Sequence, residues 1–203
     1  MTGKGKIRLY IAAAIAFVCL AGWIALLYVQ KAQEEKGWEH EFLTRYHAAL
    51  NDMASDLGRF EEAETFEGQL SCLEAIASDL VQLKAHMEMH INLAGISMPE
   101  KTASGVDMAG WREAESVIGL VSKGGTVDSC QIASFQADGA ISEEEAAVIQ
   151  FLKAETDRLY GDMTVPDENG MNYRYVLPSI EVYQRLTAIF QDMKAQLIRI
   201  NRK

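Results

Sequence analysis

Residues 9–29, LYIAAAIAFVCLAGWIALLYV, carry no charge, and Lys4, Lys6 and Arg8 stand just before them. At about 1.5 Å rise per residue this run reaches roughly 30 Å, the thickness of a bilayer's hydrocarbon core. No other stretch of the chain is uncharged over a comparable length. The run predicts a single transmembrane helix, with the membrane as partner from Leu9 to Val29. Tyr10 and Tyr28 fall where interfacial aromatic belts form. The segment that follows, Val29 to Glu35, contains no small-x-small pair, so the run reads as an uncleaved anchor rather than a removed signal.

The basic residues set the orientation. Lys4, Lys6 and Arg8 mark the cytoplasmic side under the positive-inside rule. The expected division is a cytoplasmic segment 1–8, an anchor 9–30 and an extracytoplasmic domain 31–203. That domain is acidic: all 29 Asp and Glu lie beyond Lys31, against 15 of the 19 Lys and Arg. Such a surface repels nucleic acid and anionic lipid.

Beyond the anchor the apolar spacing is 3 or 4, the helical period. The first outer helix carries Trp38, Phe42, Tyr46, Leu50, Met53, Leu57 and Phe60. The second carries Leu70, Leu73, Ala77, Leu80, Leu83 or Lys84, Met87, Ile91 and Ala94, and is expected to end at Gly95. A third carries Trp111, Ala114, Ile118 and Val121, with Gly124-Gly125 as a break or kink before Val127, Ile132 and Phe135. Ser142 followed by Glu145 is a capping box that opens the fourth. Pro166 to Gly170 signals a turn, and residues 171–176 read as a short extended piece. The fifth helix starts near Ser179 and carries Val182, Tyr183, Leu186, Ile189, Phe190, Met193 and Leu197. Period-2 alternation is nearly absent. The expected fold is all-α: an N-terminal transmembrane helix followed by an antiparallel bundle of four to five helices.

The search for chemistry yields few candidates. His86 and His90 lie at i and i+4 within His-Met-Glu-Met-His and share a helix face, the spacing of two metal ligands. The bland alternative is a pair of bundle histidines. His40 and His47 stand seven apart on the first outer helix. Cys72 and Cys130 are the disulfide candidates. A bridge would close a loop of about 60 residues, worth about 4 kcal/mol, and buried free thiols are the alternative. There is no nucleophile elbow and no phosphate loop. No catalytic residue and no cofactor are expected.

Three stretches carry a family resemblance: Thr44-Arg45-Tyr46-His47-Ala48-Ala49-Leu50, then Leu120 to Val127 (LVSKGGTV), then Ala140-Ile141-Ser142-Glu143-Glu144-Glu145. With the order of anchor and helices, they resemble the N-terminal membrane-anchored helical region of the YpeB-type spore germination proteins. The resemblance implies a non-enzymatic partner of a cell-wall lytic enzyme in the spore. The anchor, the amphipathic helices and the lack of catalytic motifs predict protein–protein interaction outside the cytoplasm, and the resemblance implies that it serves spore formation or germination. The alternative is a bundle-type ligand or envelope-stress sensor that works with a membrane partner.

Overall fold

The computed structural model describes residues 3–97, 106–127, 129–135, 137, 139–166 and 173–202, with side chains from Phe17, Val18 excepted, in the first helix and as far as Leu93 in the second. Five α-helices lie among the described residues: α1 Gly3–Glu62, α2 Phe66–Ser97, α3 Trp111–Lys123, α4 Glu143–Met163 and α5 Ser179–Asn201. Two short antiparallel hairpins interrupt them. One pairs β1 Gly125–Val127 with β2 Cys130–Ile132, and the other pairs β3 Thr164–Pro166 with β4 Tyr173–Tyr175. The chain divides into two compact units, Met1–Glu39 and His40–Lys203.

In the first unit Phe17 and residues 19–31 are all exposed. Among the described residues no helix is long and apolar enough to cross a membrane. The side chains of residues 9–16, the opening part of the uncharged run, lie outside those described. Trp38, expected in the bundle core, belongs to this unit and is exposed.

The second unit is built on a rhythm of alternating fours and threes. On α1 the buried positions run Tyr46, Leu50, Met53, Leu57 and Phe60; on α2 they run Leu73, Ile76, Leu80, Leu83, Met87 and His90. That is the 3.5-residue repeat of a coiled-coil seam. It shifts the α2 stripe from the expected Ala77 to Ile76. It also chooses Leu83 over Lys84, whose ammonium reaches Glu115 on α3 at 3.2 Å. Tyr46 meets His90 and Asp56 meets Asp79, so α1 and α2 run antiparallel. Asp162 near the end of α4 pairs with Arg185 near the start of α5, which makes that pair antiparallel too. α3 packs on both α2 and α5, and one apolar core runs through all five helices and β2.

The capping box is formed as expected. The Ser142 hydroxyl accepts from the Glu145 amide at 3.2 Å, and the Glu145 carboxylate accepts from the Ser142 amide at 2.8 Å. Of the two readings of the double glycine, the break is the one that holds: it ends α3. The Gly124 amide closes the last turn onto the Leu120 carbonyl at 3.0 Å, with φ at +66°. A Cβ there would stand 2.5 Å from the Ile132 carbonyl oxygen. The chain then turns through Ser129, at φ +63°, into β2 rather than continuing as helix. This hairpin drives Cys130 and Ile132 into the core against α5.

Candidate functional site

Two side-chain clusters stand out, both near the end of the second unit where His40 lies. The inner one centres on His90. Its Nδ1 is 2.8 Å from the Tyr46 hydroxyl and its Nε2 is 3.2 Å from the Ser179 hydroxyl. The ring stacks on Phe42 at 4.3 Å and meets Tyr183 edge-on at 5.9 Å. Tyr183 in turn donates to the Asp107 carbonyl at 2.8 Å. Three helices thus converge on one imidazole. A serine beside a histidine is the beginning of nucleophilic chemistry, but Ser179 and His90 are each only 1% exposed. No substrate reaches them. Burial, and then the neighbouring Tyr183, holds the Tyr46 phenol well above the usual tyrosine range. The cluster is a buried polar knot whose groups satisfy one another.

This placement separates the two metal candidates. Both ring nitrogens of His90 are engaged inside the core. His86 lies half-buried one turn away, and burial, then Arg45, lowers its pKa. Among the described residues no group of three or more His, Cys, Asp or Glu is placed to hold a metal ion. The disulfide candidates Cys72 and Cys130 are free, buried thiols. Cys130 instead points its sulfur at the Ile198 carbonyl, 3.7 Å away.

The outer cluster lies where β4 crosses α1. His40, Thr44 and His47 share one face of α1, since they are spaced by four and three. Tyr173 and Tyr175 share one face of β4, two residues apart. The His47 ring is sandwiched between Tyr160 of α4 at 4.5 Å and Tyr173 at 4.6 Å. Tyr175 stands edge-on to both His47 and His40 at 5.8 Å, and its hydroxyl donates to Thr44 Oγ1 at 3.4 Å. Burial among the rings lowers the His47 pKa, and burial followed by Tyr173 raises that of Tyr175. His40 and His47 therefore do not meet other histidines; they seat the hairpin. The Tyr-Arg-Tyr alternation was the available signal in the sequence.

Part of the exposed apolar surface of the second unit lies on the same hairpin. That unit's large exposed apolar side chains among the described residues are Val81, Met108, Val165, Tyr173 and Val176. The last three lie on β3, on β4 and just past β4. Val165 and Val176 lie on the face of the hairpin opposite Tyr173 and Tyr175, because Val165 pairs with Arg174 and Pro166 with Tyr173. Singly exposed apolar residues are ordinary, and this outward pair is a candidate contact with another molecule. No family model matches the chain, nor does any curated protein or solved structure.

Proposed function

We propose that the chain is a single-pass membrane protein whose helical unit acts outside the cytoplasm by binding another protein. One observation carries the reading. Phe17, Leu20, Trp23, Ile24, Leu26, Leu27, Tyr28 and Val29 all point into open space around α1. Leaving a large apolar side chain in water forfeits about 1.5–3 kcal/mol. Eight of them forfeit as much as a small domain's whole stability, on the order of 10 kcal/mol. A helix apolar all round belongs in lipid or in a larger core, and the uncharged run from Leu9 with its basic flank favours lipid. The basic flank also supports an N-terminus in the cytoplasm.

The partner-binding part of the proposal rests on the outward face of the β3–β4 hairpin, where Val165 and Val176 are exposed. The resemblance to spore germination proteins makes a cell-wall lytic enzyme the first partner to try. Membrane fractionation followed by alkaline carbonate extraction tests the anchor: the chain is expected to stay in the pellet, and release into the supernatant overturns it. Affinity capture from detergent-solubilised membranes tests the interaction. A partner enriched by the native chain and lost with the double substitution Val165→Ser, Val176→Ser supports the reading. Capture of the chain alone counts against it.

A further inference from the structure

Asp79 is the buried carboxylic acid among the described residues, only 8% exposed. It lies on the α1–α2 seam. Its Oδ2 is closed off from solvent and has no hydrogen-bond partner. Across the seam stand Asp56 and Asp52, one turn apart on α1, and the Asp56 carboxyl is within hydrogen-bonding reach of Asp79. Arg59 holds Asp56 at 2.8 Å along the same helix. No cation pairs with Asp79 among the described residues. On α3, which packs against α2, Glu115 is held by Lys84 and Glu113 by Lys194. On α4, Lys153 is shared between Asp157 and Glu61. Two carboxylates in contact repel unless a proton lies between them.

We propose that Asp79 and Asp56 form a proton-binding clasp between α1 and α2, which tightens the helix pair when one proton is bound and loosens it when the proton leaves. This goes beyond the anchoring and partner reading and does not depend on it, since all three aspartates belong to the second unit. Burial first, then the charges of Asp56 and Asp52, push Asp79 up to about 6 from 3.8. The folded pKa is raised, so the clasp's contribution is complete below the unfolded value. It declines as pH rises between the two and is gone above about 6. Each unit of separation is worth a factor of ten in the folding equilibrium. The gap of about two units therefore sets a ceiling of roughly a hundredfold.

The test is denaturant unfolding of the full chain in detergent micelles from pH 4 to pH 8, with Asp79→Asn measured beside it. Histidine titrations are common to both and cancel in the comparison. The two chains are expected to be similar near pH 4. The variant should become progressively more stable than the native chain as pH rises from 4 to about 6, by a factor approaching ~100 in the folding equilibrium, and keep that margin above 6. A difference that stays constant with pH overturns the clasp. Asp56→Asn supplies the second arm, and decides alone if Asp79→Asn does not fold. It should shift the loss of stability to lower pH and shrink it; a profile that matches the native chain overturns the proposal.

Discussion

Single residues in this chain are held by very different forces. Gly124 is fixed by geometry: φ is positive and the Ile132 carbonyl occupies the space a side chain needs. Gly124→Ala is expected to cost about 2 kcal/mol or more, read as a lowered denaturation midpoint. His90 is fixed by satisfaction of its ring nitrogens. Removing the hydroxyl in Tyr46→Phe leaves Nδ1 buried without its partner, at about 1–3 kcal/mol. His90 also shows what sequence reading catches and misses. His-Met-Glu-Met-His drew notice as a ligand pair because both histidines fall on one face. The alternation 83, 87, 90 places the second of them on the core seam, and only the tertiary packing supplies Tyr46 and Ser179 to receive it.

At the level of elements, local signals fared well where the chemistry is local. The capping box of α4 needs only Ser142 and Glu145, and it forms. Ser142→Ala should lower stability by about 1 kcal/mol, measurable by thermal unfolding. Starts and ends that depend on distant contacts were harder to read. Gly124-Gly125 reads as a break or a kink, and the sequence does not choose between them because Val127, Ile132 and Phe135 continue the apolar pattern. The structure spends the same apolar residues on a hairpin packed against α5, far away in sequence. The β3–β4 hairpin makes a further prediction. The His47 pKa is lowered in the folded chain, so its stabilising contact is complete above the ordinary histidine range near 6.5. That contact is lost as pH falls through the folded value. Hydrogen-exchange protection at 173–176, corrected for the intrinsic pH dependence of exchange, should therefore fall on acidification, and His47→Phe should remove that sensitivity. Unchanged protection across pH 7.5 to 5.5 in the native chain would refute this.

Across the whole molecule, the all-helical class and most core positions were legible because burial follows a short period. Phe42, Tyr46, Leu50, Met53, Leu57 and Phe60 are all buried as expected. The tyrosine cluster was not legible, because His47, Tyr160 and Tyr173 come from three separate elements. At this scale two proton equilibria oppose each other: acid weakens the His47 contact and strengthens the Asp79 clasp. The arrangement of the helices has a mechanical consequence. In the second unit α1 and α2 are antiparallel, α4 and α5 are antiparallel, and α3 runs alongside α5, with Asp107 just before it at Tyr183 and Glu113 at Lys194. With five helices in alternation, residue 40 and residue 201 stand at opposite ends of a body about 35 Å long, the length of the 23-residue α5. A pull between those two points loads the helices lengthwise, in shear, so the seams slide against their interlocked side chains instead of peeling open one contact at a time.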